Sequence, residues 1–212
     1  MSGKVLQLRR LGLLAAVLAV GTSSLPAQAS GPKPVGSSLR NDMRKVWEDH
    51  ITWTRMYIVS AAANLPEKDV TAQRLMKNQE DIGAAITPFY GDAAGQKLTG
   101  LLKEHITIAT EIIDAAMKGD TSKKEKASTR WTANADEIAA FLSSANPSNW
   151  PLAEMKQMLH SHLELTAQEV VAHLSRDWTG SVTAYDKIHE QILHMADALS
   201  TGIINQFPQK AM

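Results

Sequence analysis

From Leu39 to Phe207, apolar residues recur at intervals of three and four in almost every window, and no alternating run of β-branched residues interrupts them. A chain patterned in this way buries its apolar surface by packing helix on helix, so the fold class is read as all-α. Turn signals divide the pattern into about six helices in an up-down bundle. The first is predicted over 39–63. Pro66 opens the second, which runs to about Ile86, where Pro88 interferes. Gly91-Asp92 precedes a third helix over 93–117. Ser122 and Glu125 read as the capping box of a fourth, ending near Ser144 before Asn146-Pro147. Pro151 opens the fifth, with a restart expected at the Thr166/Glu169 capping-box pattern, and Trp178 to Phe207 is the sixth.

Upstream of this domain the character changes. Lys4, Arg9 and Arg10, then an apolar stretch from Leu11 to Val20, then Ala27-Gln28-Ala29, have the order of a signal peptide over 1–29. Residues 30–38, with Gly31, Pro32, Pro34 and Gly36, read as a disordered linker, and 39–207 as a single helical-bundle domain. The apolar stretch is short for a membrane span, so no stable span is expected after cleavage. The expected location is outside the cytoplasm, periplasmic in a Gram-negative source. Arg9-Arg10 faintly matches a twin-arginine signal, but the flanking residues fit general secretion better.

Charge and cysteine content exclude several function classes. Lys plus Arg and Asp plus Glu both number 22, which leaves no basic field for nucleic acid. With no cysteine there is no disulfide, thiolate metal site or cysteine nucleophile. Glycine-rich phosphate loops, the Gly-x-Ser-x-Gly elbow and the two-histidine zinc-protease helix are also missing.

Comparing the helices with one another yields more. Trp47/His50/Ile51/Trp53, Leu102/His105/Ile106/Ile108 and Leu159/His162/Leu163/Leu165 share one pattern, with the histidines 55 and 57 residues apart. Arg74/Asn78/Asp81/Ile82 and Arg130/Asn134/Glu137/Ile138 share another, and Glu190/His194/Asp197 is a looser third copy. The chain is therefore read as three pseudo-repeated helical hairpins. Each histidine lies on an apolar stripe and points inward, where an imidazole needs a hydrogen-bond partner or a metal ion. The expected site is a buried cluster of His50, His105 and His162 with Asp81, Glu137 and Asp197, and with His194 one turn away.

Imidazole and carboxylate together suit a transition metal, Fe, Mn or Zn, held in a bundle for storage, handling or redox work. The alternative is a non-catalytic envelope protein, structural or partner-binding, whose cluster is only a hydrogen-bond network. Copper on Met155, Met158, His160 and His162 is disfavoured, because His160 and His162 point to opposite sides of a helix. The five tryptophans are read as packing residues. These residues assign no turnover.

Trp47-Glu48-Asp49-His50, Pro88-Phe89-Tyr90-Gly91-Asp92, Leu102-Lys103-Glu104-His105 and Ala133 to Ala139 resemble segments of a group of small exported bacterial all-helical proteins of unassigned function. The resemblance spans about 39–207. Members are at times named as glycosyltransferases or acetylglutamate kinases, activities that need glycine-rich or α/β elements this chain lacks. The resemblance implies that positions like His50, His105 and His162 are kept in the group, while those like His189 and His194 are replaced.

Overall fold

The structure, a computed structural model, describes residues 35–210. The expected signal peptide and residues 30–34 of the expected linker lie outside them. Six helices follow one another: α1 (Val35–Ala62), α2 (Lys68–Tyr90), α3 (Asp92–Met117), α4 (Thr121–Ala145), α5 (Leu152–Leu174) and α6 (Trp178–Gln206), with a 3-10 turn at Pro208–Lys210. Connections are short, so consecutive helices run up and down. Each packs on its chain neighbours, α6 closes on α1, and α1 also reaches α3 and α5 across the interior. No described helix is long and apolar enough to cross a membrane.

The hairpin turns α1–α2, α3–α4 and α5–α6 are built alike. Asn64, Gly119 and Arg176 have φ of 50°, 67° and 62°, and each follows a helix of histidine-bearing pattern by the same interval, fourteen residues after His50, His105 and His162. The next amide returns to a carbonyl five residues back: Leu65 to Ser60 at 2.9 Å, Asp120 to Ala115 at 2.9 Å and Asp177 to Ala172 at 2.9 Å. This is the left-handed C-terminal closure that usually takes glycine. Two turns then start the next helix on an aspartate, with Asp120 Oδ1 accepting from Lys123 N and Asp177 Oδ1 from Gly180 N, both at 2.9 Å.

Several boundaries differ from the sequence reading. α1 begins at Val35, inside the segment expected to be linker; Ser38 Oγ donates to Asp42 Oδ2 at 3.2 Å in its first turns. α2 runs through Pro88 to Tyr90, because a proline in the last turn frees only a carbonyl near the helix end. The cap of α4 is Asp120 rather than Ser122. α5 is continuous: Thr166 is buried and Glu169 pairs with Arg55 of α1, so neither side chain serves as a cap.

The main core runs along the bundle axis and includes Met43, Trp47, Ile82, Leu98, Ile138 and Ile192. At the end opposite the hairpin turns, Trp150 is buried against Gly202, where a Cβ would lie 2.1 Å from the indole Nε1.

Candidate functional site

His50, His105 and His162 lie on α1, α3 and α5, and their residues are only 3%, 4% and 5% exposed. The rings of His50 and His162 stand 5.7 Å apart between centroids, and each of the three is close enough for its charge to act within the group. Trp47 meets His50 edge-on at 5.7 Å, and Trp131 lies over His105 at 5.1 Å. Burial first, and then the neighbouring imidazoles His162 and His105, hold His50 well below the usual histidine range. Burial pushes His105 and His162 down to about 4, against the opposing pull of their amide partners. All three rings are therefore neutral at pH 7.

The partner of each ring is an amide on the following helix. His105 Nδ1 lies 2.9 Å from Asn134 Oδ1, and His162 Nδ1 lies 3.2 Å from Gln191 Oε1, each separated by 29 residues. The orientation of these amides is settled by what else they touch. Asn134 Nδ2 donates to the Leu101 carbonyl at 3.1 Å, and Gln191 Nε2 donates to the Met158 carbonyl at 3.0 Å. A backbone carbonyl only accepts, so the amide oxygen must face the ring and the ring must donate from Nδ1. In the first hairpin Asn78 Nδ2 donates to the Val46 carbonyl at 2.9 Å, and both Asn78 and Gln79 act on His50, with the Gln79 nitrogen 3.4 Å from Nδ1. Val46, Leu101 and Met158 each precede their histidine by four residues. The full clamp, an amide that accepts from Nδ1 and donates to the carbonyl four residues before the histidine, occurs twice, at His105 and His162; at His50 Asn78 repeats the carbonyl contact, but the group facing Nδ1 is the Gln79 nitrogen, a donor. Among the described residues none hydrogen-bonds to Nε2 of His50, His105 or His162.

The acids expected at this cluster are elsewhere. Asp81 is bound by Lys77 at 2.8 Å and Arg74 at 3.4 Å on the surface of α2. Asp197 takes Arg44 Nε at 2.7 Å, and Glu137 is exposed. His194 is exposed as well; the inward position on α6 belongs to Gln191, three residues earlier. An amide can donate to a carbonyl and accept from an imidazole at once, whereas a carboxylate in that position would bring an uncompensated charge into the core. Among the described residues no group of three His, Asp or Glu side chains stands in ligating geometry. His160 pairs with Asp136 at 2.9 Å on the outside of α5, away from His162. His189 pairs with Glu48 at 2.9 Å.

A cleft of about 480 Å³ opens between α3, α4 and α5. Its walls are largely aliphatic, and Thr54, Ala109 and Thr166 contribute to them. Each of these three residues follows a histidine of the cluster by four, so the cleft comes within one helical turn, ~6 Å, of the imidazole layer. Thr54 Oγ1 donates back to the His50 carbonyl at 2.8 Å, but Thr166 Oγ1 has no partner.

No family model, curated protein or solved structure matches the chain.

Proposed function

We propose that this protein is an exported helical bundle that holds a transition-metal ion among Nε2 of His50, His105 and His162. Export rests on the order of cationic, apolar and small-residue segments over 1–29. The observation that carries the metal reading is the clamp at His105 and His162, whose carbonyl contact recurs in Asn78 beside His50. A hydrogen bond at Nδ1 fixes tautomer and ring orientation and leaves Nε2 as a lone pair, which is how metal-bound histidines are supported by their surroundings. At His105 and His162 the hydrogen bond at Nδ1 leaves Nε2 without a partner among the described residues.

Two imidazoles bound to one tetrahedral ion have ring centroids roughly 5 Å apart, close to the separation of His50 and His162. With the acids on the surface the ligand set is all imidazole, which suits Zn before Fe and removes the case for Mn. Three neutral rings do not offset a divalent charge, so the ion's remaining position falls to water or a small anion.

A second reading is a non-catalytic protein in which the clamps only fix helix register; it is favoured by the outward position of every expected acid. Equilibrium dialysis against Zn²⁺ separates the two. Metal binding calls for one equivalent bound, lost in His105→Ala and His162→Gln and kept in Asp81→Asn and Asp197→Asn. Less than about a tenth of an equivalent, or binding indifferent to the histidine variants, leaves the structural reading.

A further inference from the structure

The geometry points to a separate binding site: the cleft between α3, α4 and α5 takes a single-chain anionic amphiphile, with the chain lying along the cleft and the head at Lys124. This inference stands apart from the metal reading and needs no ion.

The shape follows from the antiparallel helices that line it. On α5 the lining extends from His160 to Val171 and on α4 from Lys124 to Thr132, so the cleft is a slot ~12–16 Å long, parallel to the bundle axis. Its volume of about 480 Å³ is that of a small-molecule site. Ile112, Ile113, Leu163 and Val170 present aliphatic surface along it, which an elongated apolar chain covers better than a compact polar molecule.

Charge is unevenly placed along the slot. Lys124 sits at the end nearest the hairpin turns, level with Ala116 and Val171, while Glu164 lies two turns of α5 farther in. Neighbouring Lys118 and Lys123 both approach Asp114, at 2.8 Å and 3.9 Å, but Lys124 is exposed and forms no ion pair among the described residues. An anionic head at that end meets an uncommitted cation, whereas farther along the slot it would meet the Glu164 carboxylate.

The inner wall is also unfinished as core. Thr166 and Trp131 are 6% and 7% exposed, yet Thr166 Oγ1 and Trp131 Nε1 have no hydrogen-bond partner. Elsewhere in the helices a buried threonine can bond the carbonyl four residues back, as Thr71 does, but Thr166 does not. Unpaired buried groups of this kind call for a bound molecule or its waters.

Calorimetric titration of the full chain with dodecanoate and with dodecanol, at matched concentrations below micelle formation, tests the site. Dodecanoate is expected to bind at one equivalent and more tightly than the alcohol. Lys124→Glu is expected to weaken dodecanoate about fivefold and leave dodecanol unchanged. Ala109→Phe and Ala167→Trp, which place bulk at the inner and outer parts of the slot, are expected to abolish binding of both; circular dichroism identifies any variant that fails to fold, and the other then decides. The proposal is overturned if neither probe binds, if both folded slot variants still bind, or if carboxylate and alcohol bind alike and Lys124→Glu changes nothing. It is overturned equally if sedimentation shows the slot closed by a second copy that dodecanoate does not displace.

Discussion

Asn134 Oδ1 lies 2.9 Å from His105 Nδ1 while Nδ2 of the same amide donates to the Leu101 carbonyl at 3.1 Å, so one side chain of α4 grips α3 at two points a turn apart. Replacing Asn134 with leucine keeps the volume and strands a buried N–H on His105. The expected loss is ~1–3 kcal/mol, measured by urea denaturation at pH 7. Asn134→Asp has a different signature: a carboxylate beside the ring stabilises the imidazolium, and the His105 pKa is expected to rise from about 4, as followed by NMR titration. An unchanged His105 titration in Asn134→Asp would contradict the clamp.

Acid should unfold the protein in a window set by the histidines. His105 and His162, held near 4, and His50, held well below its ordinary value, bind protons in the unfolded chain near pH 6.5 but not in the folded one. The unfolded state therefore takes up more protons as pH falls from about 6.5, and stability declines toward about pH 4 with a slope approaching ~1.4 kcal/mol per pH unit for each buried ring. Asp114, Asp136, Asp197 and Glu80 have pKa values lowered by Lys118, Lys156, Arg44 and Lys103 in turn, so their contributions are lost only at still lower pH. Denaturation midpoints between pH 7.5 and 4.5 check this. A folded His162→Gln variant should show a slope shallower by one proton's worth.

Among the described residues Arg55 and Glu169 form the one ion pair whose acid is almost fully enclosed, and Arg55 also lies over Tyr185 at 4.8 Å. Burial raises the Glu169 pKa more strongly than Arg55 lowers it. Arg55→Ala leaves that carboxyl without its partner, with an expected cost of ~3 kcal/mol at pH 7 that shrinks as the pH is lowered and Glu169 protonates. Replacing both residues with methionine should recover most of the loss. A double variant no better than the single would show that Arg55 acts through packing on Tyr185.

Arg176 occupies a left-handed conformation that glycine fills in the equivalent turn at Gly119. Arg176→Gly is expected to leave the fold intact and raise stability by ~0.5–1 kcal/mol, since removing the Cβ relieves the backbone there. Thermal denaturation measures it; a loss of stability would mean that the arginine side chain contributes more than the turn strain costs.

Helix positions and the inward face of the three histidines were legible in the sequence because both follow from the 3.6-residue period. The identity of the inward partner was not. Asn78 and Asn134 stood in the same windows as Asp81 and Glu137, and spacing alone does not decide which of two polar residues three apart turns inward; the double hydrogen-bonding capacity of an amide does. In the third hairpin the expected residue, His194, lies three positions beyond the inward one, Gln191. The signal that identifies Gln191 is its separation of 29 from His162, matching that of Asn134 from His105. Arg176 carried no turn signal, because its conformation is imposed by the closure between α5 and α6 rather than by residue type. The cleft is lined from several helices, so no single helix encodes it.

The most direct measurement is a two-bond ¹H–¹⁵N NMR spectrum of the imidazoles in metal-free protein, repeated with one equivalent of Zn²⁺. The expected result is His105 and His162 protonated at Nδ1 and bare at Nε2, with the Nε2 resonances of His50, His105 and His162 all shifting on addition of the ion. Protonation at Nε2, or three resonances that stay in place with zinc present, would contradict it.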